Sequence, residues 1–159
     1  MALKKLQVIN THPYCIISIK NYIYYSNYEL IVQRDLKGNT KTFHGHTERI
    51  LCFAVIDDYL YSSGYDGQII KWNQDGSILS IIYSRESIYN IININNVLYS
   101  SNNKGHIQKY NEHNTKTILL NIEEQSIDCL TFNNDLYYFY TTDPCTMNII
   151  SVFYTSVKI

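Results

Sequence analysis

The sequence is poor in helix-forming residues and in the usual turn residues. It contains only 6 Gly and 2 Pro, and alanine occurs only at Ala2 and Ala54. Alanine is the best helix former, whereas the abundant isoleucine and the 16 tyrosines favour strands. With so little glycine, tight turns must be made by Asn and Asp, which tolerate left-handed backbone. This composition predicts an all-β chain with Asn/Asp turns.

The chain also lacks a strong charge of either sign and any long apolar run. Its formal net charge is −1 and charged residues make up 17% of it, so no basic surface for nucleic acid or anionic lipid is expected. No apolar stretch approaches the roughly 20 residues that a membrane helix needs. The N-terminal MALKKLQVIN has no apolar core of the kind that a secretory signal requires. We therefore expect a cytoplasmic protein with neither a nucleic-acid partner nor a membrane partner.

The signatures of catalytic and metal centres are missing as well. The four cysteines show neither a C-x-x-C pair nor metal-ligand spacing, and without a secretion signal they are expected to be reduced and apolar in behaviour. There is no G-x-S-x-G elbow, no glycine-rich phosphate loop and no H-E-x-x-H. We therefore predict a protein that is not an enzyme and has no metal site and no cofactor.

What the sequence does contain is an internal repeat. One phrase, an apolar residue, a polar pair, an apolar residue at a fixed distance and then a tyrosine, occurs four times at a spacing of 37 to 38 residues. Internal periods of this length are typical of repeat proteins and propellers. The four copies are IKNYIYYS (19–26), IDDYLYSS (56–63), INNVLYSS (94–101) and FNNDLYYF (132–139).

Each repeat unit has the pattern of four short strands. In the second unit ILCFAV (50–55) is followed by an Asp-Asp turn, by the strand that carries LYSS, by a Tyr-Asp-Gly turn and by QIIKWN (68–73). Short apolar or alternating runs bounded by Asn, Asp and Gly are strand signals, and no window shows helical spacing. The unit is predicted to be an antiparallel meander of about 38 residues.

The second unit resembles the WD40 β-propeller family. It carries Gly45-His46 near its start, the stretch LYSSGYDGQIIKW (60–72), and Trp72-Asn73 in place of the Trp-Asp dipeptide. The resemblance implies one propeller domain of four four-stranded blades, preceded by a strand at 1–11 that would close the ring. The implied blades are residues 12–46, 47–84, 85–124 and 125–159.

The resemblance also implies a structural tetrad in the second blade. The Asp66 carboxylate would accept from the His46 imidazole, which would meet the Ser62 hydroxyl, with Ser63 as the alternative, and this hydroxyl would accept from Trp72. His44-Gly45-His46 is thereby interpreted as a blade junction rather than a metal clamp. The other units depart from this pattern, and we expect them to depend on apolar packing.

The number of repeats raises the question of how the ring closes. Four blades are the lower limit for propellers, and rings of the WD40 type usually have seven or eight. We therefore favour a homodimer that completes an eight-bladed ring, with a four-bladed monomer as the alternative.

The resemblance implies a non-catalytic scaffold or adaptor that binds a protein or peptide on the narrower propeller face. Tyr and Arg are frequent interface anchors, so we predict that Tyr28, Arg49 and Tyr65 contact the partner. Two alternatives remain open. One is a lectin-like propeller that binds glycans through tyrosines, and the other is a purely architectural subunit of an assembly.

Overall fold

The computed structural model describes residues 12–111, 116–122, 126–133, 135–141 and 151–155. These residues form fifteen strands and no helix, so the described part of the chain is all-β as predicted. In particular, the described residues contain no helix of the length and hydrophobicity that crossing a membrane requires.

The strands form four separate antiparallel sheets in chain order, which we call blades 1 to 4. Blade 1 contains β1 (Ile16–Ile19), β2 (Tyr22–Asn27), β3 (Leu30–Asp35) and β4 (Thr40–Phe43), and blade 2 contains β5 (Ile50–Ile56), β6 (Tyr59–Gly64), β7 (Gln68–Trp72) and β8 (Ile78–Tyr83). Blade 3 contains β9 (Ile88–Ile94), β10 (Val97–Asn102), β11 (His106–Tyr110) and β12 (Lys116–Asn121), and blade 4 contains β13 (Ser126–Asn133), β14 (Asp135–Thr141) and β15 (Ser151–Thr155). Blade 4 therefore has three described strands, and the predicted ring-closing strand at 1–11 lies outside the described residues.

The hairpins between the first two strands of blades 2 and 3 are closed by Asp and Asn. Asp57 and Asp58 have φ of 49° and 64°, and Asn95 and Asn96 have φ of 51° and 63°. Two successive residues with positive φ are the signature of the type I′ turn, whose twist matches that of the flanking strands. The prediction that Asn and Asp replace glycine in these turns is confirmed.

The apolar core lies between consecutive blades. Side chains alternate between the two faces of each sheet. We call the face that an interior blade turns to the preceding blade its front and the opposite face its back, and the equivalent faces of blades 1 and 4 have the same names. Phe43 of blade 1 packs on Trp72 of blade 2 with 5.7 Å between ring centroids. A second cluster joins Ala54 and Ile69 of blade 2 to Ile91 of blade 3, and a third cluster joins blades 3 and 4.

The blades contact one another in sequence. Strand β5 packs against β1 and β9, and β9 packs against β13. Among the described strands, no contact of similar extent joins blade 4 to blade 1. The described part of the chain is therefore an arc of four blades.

Candidate functional site

Four side chains of blade 2 form one continuous hydrogen-bonded chain. The Trp72 indole N–H donates to Ser62 Oγ at 2.7 Å, Ser62 Oγ lies 2.7 Å from His46 Nε2, and His46 Nδ1 lies 2.8 Å from Asp66 Oδ2. Trp72, Ser62 and His46 are buried. With the imidazole neutral and its proton on Nδ1, the Ser62 hydroxyl donates to Nε2 and each donor in the chain meets an acceptor. The structure thus brings together the four residues of the predicted tetrad, with Ser62 rather than Ser63 in the chain.

Asp66 links the hydrogen-bonded side chains of the tetrad to backbone N–H groups. Its Oδ2 also accepts from the Thr47 N–H at 3.0 Å, and its Oδ1 accepts from the Gln68 N–H at 3.0 Å. Burial acts to raise the pKa of Asp66, but the hydrogen bonds from His46 and from the two backbone N–H groups outweigh burial. The net result is a pKa below the ordinary value, so the carboxylate is held in its charged form.

Gly45 is required by the packing of the tryptophan. A Cβ atom at this position would lie 2.7 Å from the ring of Trp72 and 2.9 Å from the side chain of Ile78. Contacts this short force a neighbour to move, and Trp72 is held by its bond to Ser62. The Gly-His pair therefore combines a residue that leaves room for the indole with a residue that bonds to Ser62, the acceptor of the indole N–H.

Blades 1 and 3 contain buried polar chains of their own, so the expectation that they depend on apolar packing alone is wrong. In blade 3 the Tyr110 hydroxyl, at the position of Trp72, donates to Gln108 Oε1 at 2.9 Å and lies 3.0 Å from Ser100 Oγ. In blade 1 the Gln33 amide donates to the Tyr24 hydroxyl at 2.7 Å. A buried phenol needs a partner as an indole does. In blade 3 one partner, Ser100, occupies the position of Ser62, whereas Gln108 and Gln33 lie outside the family pattern.

The turn of blade 3 is capped from a different position than in blade 2. Lys104 occupies the position of Asp66 and cannot accept a hydrogen bond. Instead, Asn102 Oδ1 accepts from the N–H groups of Lys104 and His106, each at 3.0 Å. The cap has moved two residues towards the N-terminus while the turn keeps its hydrogen bonds.

The histidines do not form a metal site within the described part of the chain. There, no group of three or more His, Cys, Asp or Glu side chains lies close enough to hold an ion. His46 has both ring nitrogens engaged in the tetrad, and His44 is exposed directly after β4.

Two of the predicted contact residues lie side by side at one end of the blades. The Arg49 guanidinium lies 5.0 Å from the ring centre of Tyr28 and 4.5 Å from that of Tyr14, and it donates to the Tyr14 hydroxyl at 2.6 Å. Tyr28 is 53% exposed and Tyr14 is 60% exposed. Arg49 is half-buried between the two rings.

Tyr65, the third predicted contact residue, continues this surface across blade 2. Its N–H donates to the Arg49 carbonyl at 3.0 Å, and its ring meets that of Tyr89 edge-on with centroids 5.8 Å apart. Partial burial raises the pKa of Tyr89, and the neighbouring Tyr65 and Asp128 add to this effect. We call Tyr14, Tyr28, Arg49, Tyr65 and Tyr89 the tyrosine–arginine cluster.

Sequence reasoning missed Tyr14 and Tyr89 because they lie outside the repeated phrase. Each is at or next to the start of a first strand, β1 or β9, and reaches its partner across a turn or a blade junction. Tyr14 and Tyr89 are two repeat periods apart, so a tyrosine at the same position of the first and third units is the signal that could have identified them.

Gly64 allows the close backbone approach beneath this cluster. A Cβ atom on Gly64 would overlap the Arg49 carbonyl oxygen, the atom that accepts from Tyr65. A side chain here would therefore push apart the inter-blade loop that carries Arg49 and the turn that carries Tyr65.

The described cysteines are free thiols that lie in, or directly before, the first strands of blades 1, 2 and 4. Burial raises the pKa of Cys15 to about 12, and burial also raises the pKa values of Cys52 and Cys129. The Cys52 thiol points at the Ile91 carbonyl of blade 3 at 3.5 Å. These cysteines are therefore held in the protonated, apolar form.

Comparisons with known proteins identify the fold through solved structures. No family model matches the sequence, and no curated protein matches it. The β-propeller domain of Cps50 (Swd1) from Myceliophteria thermophila superposes with a TM-score of 0.72 at 14% identity over 84% of this chain and 50% of that one. The computationally designed Ika4 protein superposes with a TM-score of 0.74 at 18% identity over 97% of this chain and 99% of that one.

These likenesses concern the fold, since the identities are low. This chain spans half the length of the Cps50 propeller domain, and nearly the whole length of the designed protein. Together with the successive antiparallel sheets, they confirm the predicted fold class. The chain has the β-propeller fold.

Proposed function

We propose that this chain is a non-catalytic, WD40-like interaction scaffold that binds a protein or peptide through the tyrosine–arginine cluster. The proposal rests on Arg49, whose guanidinium is held between tyrosine rings but is not neutralised by any carboxylate of the described residues. Within the described part of the chain, its guanidinium makes no ion pair, although two tyrosine rings hold it in place. A cation that is positioned but not neutralised is suited to accept a partner's carboxylate.

The chemistry of the cluster favours a segment that combines an acidic group with apolar or aromatic side chains. One of the five guanidinium N–H groups of Arg49 is directed at Tyr14, which leaves donors for a carboxylate. The exposed tyrosine rings offer apolar area at a low cost in conformational entropy, because each ring has only two side-chain torsions. Rigid strands hold the residues of this cluster in place, four of them in loops or turns, as is common for binding sites.

The glycan alternative is weakened by the position of Asp66. Sugar-binding sites use carboxylates beside aromatic rings to accept from hydroxyl groups. Both Asp66 oxygens, next to Tyr65, already accept hydrogen bonds from His46, Thr47 and Gln68. The carboxylate thus serves the interior of blade 2, and the tyrosines remain as the exposed groups.

The test is a screen of peptide and glycan arrays with the folded chain, followed by titration of the best ligand. We expect acidic, aromatic-containing peptides to bind, and Arg49→Gln to weaken their affinity by about tenfold or more, which corresponds to about 1.4 kcal/mol. Arg85→Gln is the matched control, since Arg85 is an exposed arginine in the next inter-blade loop. Binding to glycans only, or equal effects of the two variants, would contradict the proposal.

A further inference from the structure

The front of blade 1 carries apolar residues at positions that are buried in the following blades. The register places Ile16 opposite Tyr25, as it places Phe53 opposite Ser62 and Ile91 opposite Ser100. Ile16 is 64% exposed, whereas Phe53 is 7% exposed and Ile91 is 1% exposed.

A second position shows the same contrast. Ile23 of β2 is equivalent to Leu60 of β6 and Leu98 of β10. Ile23 is 38% exposed, while the two leucines are 3% and 5% exposed because the preceding blade covers them. Between Ile16 and Ile23, Tyr25 on the same face is buried. Blade 1 therefore has the front of an interior blade, and Ile16 and Ile23 on it are open to solvent.

The back of blade 4 also has an exposed residue at a position that is buried in an interior blade. Thr131 is opposite Tyr137 in the register, which is the position that Ala54 occupies opposite Tyr61 in blade 2. Ala54 is buried against blade 3, whereas Thr131 is exposed. Thus Ile16 and Ile23 on the front of blade 1 and Thr131 on the back of blade 4 are open to solvent.

We propose that these two open faces bind a second copy of this chain and complete an eight-bladed ring. The surface that covers the front of an interior blade in this fold is the back of another blade. Over 84% of its length the chain superposes on half of the Cps50 propeller domain, which indicates that its blades follow about half of a ring with the two open faces at the ends.

A two-fold rotation brings the open faces together in pairs. The front of blade 1 in each copy meets the back of blade 4 in the other, and because each arc is about half a ring the assembly closes with two copies. In such a pair the described strands present no further open blade face for a third copy. The interface is separate from the partner surface proposed above, since it involves the sides of the end blades rather than the loops at one end.

The first test is the mass of the wild-type chain by light scattering over a range of concentrations. We expect twice the 18.7 kDa of one chain, with a shift towards the single chain on dilution. A mass of 18.7 kDa at all concentrations up to about 0.1 mM would overturn the proposal. Such a result would place the dissociation constant about two orders of magnitude above a micromolar value.

The second test locates the interface. Ile16→Lys places a charge on the front of blade 1 and removes little packing within one chain, because Ile16 is 64% exposed. We expect it to raise the dimer dissociation constant at least tenfold. The matched control is Ile118→Lys on β12, the outer strand of blade 3, where Ile118 is 52% exposed, and it should leave the dimer unchanged.

Circular dichroism establishes that both variants keep the strand content of the wild type. Should Ile16→Lys fail to fold, Ile16→Ser replaces it, and amide exchange of wild-type β1 and β2 is compared above and below the dissociation constant. We expect slower exchange in these strands in the concentrated sample. A dimer that is insensitive to both Ile16 variants, or exchange that is independent of concentration, would overturn the assignment of this face.

Discussion

Ser62 and Ser63 are neighbours in β6, and both are completely buried, yet their hydroxyls have different environments. Ser62 Oγ lies between Trp72 and His46. Ser63 faces the other side of the sheet, and its Oγ has no hydrogen-bond partner. The hydroxyl of Ser62 is therefore expected to stabilise the fold, whereas the hydroxyl of Ser63 is expected to destabilise it through an uncompensated desolvation cost.

This pair supplies a test in which each variant is the control for the other. We expect Ser62→Ala to lower the free energy of unfolding by about 1–3 kcal/mol, because the buried Trp72 N–H loses its acceptor. Ser63→Ala should leave the free energy of unfolding unchanged within about 0.5 kcal/mol, or raise it. Urea unfolding followed by fluorescence is convenient because Trp72 is the only tryptophan. Equal decreases in the free energy of unfolding of the two variants would show that the hydrogen bonds of the tetrad do not stabilise the fold.

At the scale of the strand and turn, the repeat explains why so much of the fold could be predicted. A phrase that recurs every 37 to 38 residues fixes where the β5–β6 and β9–β10 hairpins lie, and Asn/Asp pairs at its centre predict their turns. The polar chain around Tyr110 could not be predicted in the same way. It depends on Gln108 meeting Tyr110 and Ser100, and although Ser100 occupies the position of Ser62, no family pattern marks Gln108.

The turn at Asn95 and Asn96 is a test of the positive φ that the hairpin needs. Asn96 has φ of 63°, which costs an ordinary L-residue about 1–2 kcal/mol. We expect Asn96→Val to lower the free energy of unfolding by at least about 1 kcal/mol, and Asn96→Gly to be neutral or stabilising. Lys104→Val, in an exposed turn position of the same blade whose φ is not positive, is the control and should have a small effect. Thermal melts of the three variants measure this, and equal effects of the valine substitutions would contradict the turn assignment.

At the scale of the whole molecule, the question is whether the blades unfold together or one at a time. In repeat proteins each unit contacts only its neighbours, so stability is shared through the interfaces between units. Cys15 packs against the core between blades 1 and 2, and Cys52 against the core between blades 2 and 3. Blade 2 contributes to both cores, which couples the two junctions.

The two thiols can therefore report on the opening of their junctions. The pKa of Cys15 is raised to about 12, so at pH 8 only on the order of 1 in 10⁴ of its thiols is the reactive thiolate. Burial raises the pKa of Cys52 as well, and unfolding returns both pKa values towards the ordinary range, which increases the reaction rate with a thiol reagent.

We expect single-cysteine variants that retain only Cys15 or only Cys52 to stay unlabelled up to the urea concentration at which Trp72 fluorescence changes. Labelling and fluorescence should then share one midpoint, because opening either junction exposes apolar faces of blade 2. In the native protein the labelling rate should rise as pH is raised from 8 to 10, since the thiolate fraction increases towards a pKa of about 12 for Cys15. Labelling of Cys52 at urea concentrations that leave Trp72 and Cys15 unchanged would show instead that blade 3 separates from blade 2 before the remainder unfolds.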